Sequence, residues 1–183
     1  MNLANLITLA RLISVPIVVW AILAGEMGLA FGLFVAAGIS DAVDGFIAKR
    51  FHTESVVGSY LDPLADKALI MSVYLSLGHE GYLPMWLVIL VVFRDILIVG
   101  GVLLLFTLNN SGKLRVEPLL ISKANTAAQI VLAAVVLGGE ALGMPQPMVL
   151  SILVWVIAAT TALSGASYIV QGSRKLPTME DRR

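Results

Sequence analysis

Four aspartates, Asp41, Asp44, Asp62 and Asp66, lie in two stretches otherwise dominated by apolar side chains. An ionised carboxylate in hydrocarbon is costly unless it is paired or solvated, so four together call for a shared task. Asp41 and Asp44 are three residues apart and Asp62 and Asp66 four apart, so on helices each pair projects from one face. Two such pairs on neighbouring helices converge. Carboxylates gathered in this way repel, and the available neutralisers are Lys49, Arg50, Lys67 or bound cations. The sequence has no cysteine, and His52 and His79 stand without carboxylates at ligand spacing. A hard, all-oxygen donor set of this kind suits Mg²⁺, two ions being expected, with Mn²⁺ as the alternative. Two ions about 3.5–4 Å apart are suited to displacement at a phosphate ester, where they hold the attacked group and stabilise the leaving oxygen.

The elements that position these residues follow from composition. Of 183 residues, 58% are apolar, above the roughly 45–50% of soluble domains. Mean hydropathy is +0.93. Apolar runs of about 20 residues, long enough to cross a bilayer core as helices, recur along most of the chain. They predict an all-α integral membrane protein with six transmembrane helices, at 5–24, 28–50, 59–78, 83–108, 121–139 and 147–171. Gly25 to Gly28, Gly78 to Pro84, Asn109 to Pro118 and Gly138 to Pro147 read as turns or short loops. One membrane domain over 1–175 and a charged cytoplasmic tail over 176–183 complete the organisation. No small-residue cleavage site precedes Glu26, so a removed signal peptide is not expected.

Charge distribution sets the orientation. Lys and Arg total 12 against 12 Asp and Glu, a balance that predicts no nucleic-acid surface. Arg11, Lys49, Arg50, Lys113, Arg115, Lys123, Arg174, Lys175, Arg182 and Arg183 gather on the N-terminal side. The opposite loops carry Glu26, His79, Glu80 and Glu140 and no Lys or Arg. By the positive-inside rule both termini are cytoplasmic. Asp41 then lies about 20 Å from the outer start of its helix, in the cytoplasmic third of the membrane. Trp20 and Trp86 fall near the outer interface, whereas Trp155 falls deeper and reads as packing.

Gly45 follows Asp44, and Gly58 precedes the second pair; at both, a missing side chain lets a nucleotide approach the backbone. A more ordinary reading of Asp62 is a helix N-cap with Pro63 at the first helical position. Arg94 and Asp95, inside the fourth span, read either as a buried ion pair or as an arginine placed to bind an acceptor phosphate. Lys123 either snorkels toward headgroups or recognises the same phosphate. Asn125 and Gln129 lie one helical turn apart and are expected to hydrogen-bond between helices.

The run Asp41-Ala-Val-Asp44-Gly45-Phe-Ile-Ala48-Lys49, followed after eight residues by Gly58 and then by Asp62 and Asp66, resembles the signature of the CDP-alcohol phosphotransferase family. One departure is Lys49, where the family usually has arginine; the charge is kept and the bidentate fork lost, with Arg50 next in line. The resemblance implies a six-helix fold, a homodimer and a cytidine nucleotide bound at the cytoplasmic side. By the same resemblance Asp41, Asp44 and Asp62 bind metal, while Asp66 combines metal binding with general-base catalysis. Gly45, Lys49 and Ser55 contact the CDP moiety, and Asn5 to Thr8 border it.

The segments Leu61 to Lys67, Arg94 to Ile98, Ile121 to Gln129 and Thr160 to Ser164 look most like those of the CMP-forming cardiolipin synthases, with phosphatidylglycerophosphate synthases as near neighbours. The substrates so implied are CDP-diacylglycerol and phosphatidylglycerol, and the setting a bacterial inner membrane with the active site facing the cytoplasm. Glycerol 3-phosphate is the rival acceptor. A membrane prenyltransferase would not require the two glycines at their spacing. A cation channel would continue polar ligands into the outer halves of the spans, which are almost wholly apolar.

Overall fold

The computed structural model describes the backbone of residues 3–51, 58–108 and 120–175, and the side chains of 9–40, 65, 67–100 and 121–168. Within these residues the chain forms six helices and no strand: α1 (Leu3–Leu23), α2 (Met27–Phe51), α3 (Gly58–His79), α4 (Met85–Leu108), α5 (Leu120–Ala141) and α6 (Pro147–Lys175). The all-α class is therefore as expected, and the boundaries lie within a few residues of the hydropathy spans. Long runs rich in Leu and Ala supply helix propensity, and the Ile and Val among them add apolar surface. Pro16 sits inside α1, where its missing N–H leaves one carbonyl of the preceding turn without its usual donor.

Three helices stop in the same way. α1 ends with Gly25 at φ 77°, whose N–H donates to the Ile22 carbonyl while Glu26 N–H donates to Ala21, at 3.0 and 2.9 Å. α3 ends with Gly81 at φ 82°, and Tyr82 N–H reaches back to Leu77 at 2.9 Å. α5 ends with Gly143 at φ 62°, and Met144 N–H reaches back to Gly139 at 2.8 Å. These are Schellman turns, which satisfy the last carbonyls of a helix and need a residue comfortable at positive φ. Pro84 and Pro147 then sit at the starts of α4 and α6, where no intrahelical donor is required.

The turns make three helix hairpins, α1–α2, α3–α4 and α5–α6. α1 packs against both α2 and α3, α5 against α2, α3 and α6, and α4 against α3 and α6. The hairpin tips share one end of the bundle. A methyl group at Gly138, near the end of α5, would come within 3.2 Å of the Phe31 ring near the start of α2. Trp86 and Trp155 meet at 5.6 Å between ring centroids, tilted by 40°. Trp155 is nevertheless 68% exposed, which corrects its reading as a packing residue: its ring meets Trp86 and turns most of its surface outward.

Ile22, Tyr74, Leu77, Leu87, Leu132 and Ile157 form the centre of the apolar core. The outer surface is also apolar. Ile89, Phe93 and Ile96 are exposed along α4, while Arg94 and Asp95 between them are buried. Two stretches, Ile121–Ala141 and Pro147–Tyr168, are long and apolar enough to cross a membrane among the described residues, and Leu9–Leu23 and Met27–Ser40 are shorter apolar helices.

Candidate functional site

α2 carries Asp41 and Asp44 in its last three turns, and α3 carries Asp62 and Asp66 in its first three. Both pairs thus occupy continuous helix, the condition under which their spacing places each pair on one face. α1 packs against both of these helices. Asp62 lies within α3 rather than ahead of it, so the N-cap reading with Pro63 at the first helical position does not hold. The four side chains lie outside the described residues, as do those of Asn5, Thr8, Gly45, Lys49 and Gly58, which fall on α1, α2 and α3. Ser55 lies outside them altogether.

Beyond the aspartates, a polar network fills the interior that α3 shares with α4, α5 and α6. Lys67, the residue after Asp66, places Nζ 2.8 Å from both carboxylate oxygens of Asp95 on α4. The same carboxylate accepts a hydrogen bond of 2.6 Å from Arg94 Nη1. Arg94 Nη2 donates to Ser122 Oγ on α5 at 2.6 Å and to Ser164 Oγ on α6 at 2.8 Å. The Arg94 and Asp95 side chains are 3% and 1% exposed. The two buried charges are thereby paired, with the half-buried Lys67 ammonium on the same carboxylate, as such groups require in a medium that screens poorly. The buried ion pair, one of the two readings of Arg94 and Asp95, is present, and Arg94 directs its donors to protein partners.

Lys123, in the first turn of α5, is exposed. Asn125 joins helices as expected: its Oδ1 accepts from Thr160 Oγ1 at 2.7 Å and from Thr161 Oγ1 at 3.1 Å. Gln129 departs from expectation. It is buried, and its amide nitrogen and oxygen have no hydrogen-bond partner among the described residues. Its link to another helix is through the backbone, where its carbonyl accepts from Tyr74 Oη at 3.1 Å. Sequence reasoning named Lys67 only as a possible neutraliser of the aspartates and missed Asp95 as its partner. The available signal was charge: Lys67, Arg94 and Asp95 are intramembrane residues by hydropathy, and two cations there call for a nearby carboxylate.

Residues 1–168 match the sequence model of the CDP-alcohol phosphatidyltransferase family. The chain belongs to that family. The CMP-forming cardiolipin synthase of Homo sapiens is 32% identical to it over 98% of this chain and 64% of its own length. A chloroplastic CDP-diacylglycerol–glycerol-3-phosphate 3-phosphatidyltransferase of Oryza sativa is 36% identical over 92% of this chain and 56% of its own length. The CDP-diacylglycerol–glycerol-3-phosphate 3-phosphatidyltransferase of Bacillus subtilis is 29% identical over 97% of this chain and 98% of its own. The chain thus spans under two thirds of the length of the human and rice relatives and nearly all of the bacterial one.

For a CDP-alcohol phosphatidyltransferase, the donor chemistry on α2 and α3 fits a hard divalent cation: four carboxylates in two helix-spaced pairs and no thiolate anywhere in the chain. Among residues with described side chains, no group of three or more His, Cys, Asp or Glu could hold a metal ion.

Proposed function

We propose that the protein is a multi-pass membrane enzyme that transfers the phosphatidyl group of CDP-diacylglycerol to phosphatidylglycerol, forming cardiolipin and CMP. The observation that carries this reading is the match to a cardiolipin synthase over 98% of the chain, with all four aspartates on helices α2 and α3. Six spans are supported by the inverted distribution of side chains. Ile89, Phe93, Ile96, Ile152 and Leu163 face outward, while Arg94, Asp95, Asn125, Gln129 and Ser164 are inside. The position of Lys and Arg along the sequence supports cytoplasmic termini and a cytoplasmic active site in a bacterial inner membrane. A single membrane domain over 1–175, a charged tail and a homodimer belong to the same reading.

Asp41, Asp44, Asp62 and Asp66 would hold two Mg²⁺ ions, or Mn²⁺, and bound cations would supply charge neutralisation at the pyrophosphate. Gly45, Lys49, Ser55 and Gly58 bind the CDP part, bordered by Asn5 and Thr8. Asp66 accepts the proton of the attacking glycerol hydroxyl. The freed oxygen forms a bond to the phosphorus linked to diacylglycerol, the bond from that phosphorus to the bridging oxygen breaks, and its electron pair leaves with CMP. No covalent enzyme intermediate is needed. Lys123, exposed in the first turn of α5, is the group we assign to the acceptor phosphate. Arg94, committed to Asp95, Ser122 and Ser164, supports that side of the site.

A second reading, with glycerol 3-phosphate as the acceptor, is favoured by the rice and Bacillus relatives. A terminal phosphate dianion calls for more basic groups than a lipid hydroxyl does. The burial of Arg94, 2% exposed, removes one of them and so favours phosphatidylglycerol. Purified protein given CDP-diacylglycerol with either acceptor tests the choice by mass spectrometry. Cardiolipin is the expected product, and formation of phosphatidylglycerophosphate alone would overturn the assignment.

A further inference from the structure

Lys67 follows Asp66 directly on α3. A flexible, four-carbon ammonium therefore starts one residue from the carboxylate proposed as base and metal ligand. Unrestrained, it is a ready competitor for the place of a cation among four carboxylates. Burial alone does not restrain it, since its side chain is 27% exposed. Its restraint is the carboxylate of Asp95, both oxygens of which lie 2.8 Å from Nζ.

Asp95 is well anchored for this purpose. Its side chain is 1% exposed, so its attraction for the ammonium is screened far less than that of a solvated carboxylate. Oδ1 is also held by Arg94 at 2.6 Å, and Arg94 is tied to Ser122 and Ser164. Contacts from α4, α5 and α6 thus fix the group that fixes the lysine of α3. One carboxylate serves two cations, but their ties differ. Arg94 has hydroxyl partners besides Asp95, whereas Asp95 supplies both hydrogen bonds seen for Lys67.

We propose that Asp95 is a positioning residue that sequesters Lys67 from the aspartates of α2 and α3, keeping those carboxylates open to divalent cations. The inference rests on the reading of Asp41, Asp44, Asp62 and Asp66 as metal ligands. Without the Asp95 charge, Lys67 is free to turn toward the aspartates, of which Asp66 is its neighbour in sequence, and competes there with metal.

The test is Mn²⁺ titration, followed by electron paramagnetic resonance, of the purified full-length protein in detergent without substrate. Asp95→Asn is expected to weaken Mn²⁺ binding about tenfold, and Asp95→Asn combined with Lys67→Met to restore most of that loss. Lys67→Met alone, which keeps the Arg94–Asp95 pair, is expected to stay within roughly threefold of the unsubstituted protein. The proposal is overturned if Asp95→Asn binds Mn²⁺ normally, if the double variant stays as weak as Asp95→Asn, or if Lys67→Met alone tightens binding about tenfold or more. Should Asp95→Asn fail to fold, the Lys67→Met result decides. Absence of Mn²⁺ binding by the unsubstituted protein would instead sink the metal reading on which the inference stands.

Discussion

At one end of the bundle, three hairpins close on Gly25, Gly81 and Gly143, and their turns are held by backbone hydrogen bonds. Farther along the same helices, about 15–30 Å from those tips at 1.5 Å per residue, Lys67, Arg94, Asp95, Ser122 and Ser164 meet through side chains alone. The first region needs only a residue that tolerates positive φ and apolar surface around it. The second needs particular donors and acceptors from four helices to arrive together in a medium where an unpaired charge is costly. A membrane enzyme can thus keep one end as a generic clamp while the other holds the charge pattern that its chemistry requires.

The comparison predicts effects of different kind and size. Asp66→Asn is expected to lower turnover by roughly 10²–10⁴-fold, the range for loss of a general base, with thermal stability in detergent little changed. Activity within a factor of ten of the parent would remove Asp66 from that role. Arg94→Met strips a partner from Asp95 and leaves the hydroxyls of Ser122 and Ser164 without their guanidinium. It should cost about 3 kcal/mol in stability, read by denaturant unfolding in detergent micelles. A loss under about 1 kcal/mol would show that Lys67 alone can balance Asp95 and that the network is less interdependent than its geometry indicates. Gly143→Ala, at φ 62°, should cost about 1–2 kcal/mol and leave the specific activity of folded protein intact. A fall in activity without a fall in stability would mean that the hairpin end does more than clamp.

How far the sequence could be read follows the same division. The spans at 28–50 and 147–171 anticipate α2 (Met27–Phe51) and α6 (Pro147–Lys175) closely, because apolar runs and their glycine or proline boundaries are local signals. Trp155 was misjudged since hydropathy gives depth along a helix but not the direction a side chain faces. The Asn125 contact to Thr160 and Thr161 was legible as an interhelical role but not as a choice of partner. Gln129, one turn away, shows the limit: the same reasoning assigned it a side-chain contact, and its carbonyl makes the contact instead.

By itself the sequence determined the helices, the three turns at Gly25, Gly81 and Gly143 and the placement of two aspartate pairs at helical spacing, since each depends on residues within a turn or two of one another. Only the tertiary structure decided that Lys67 belongs to Asp95, 28 residues away, and that Arg94 is held by Ser164, 70 residues away. Those pairings arise where helices meet, and no periodicity within one helix encodes which neighbour will face it.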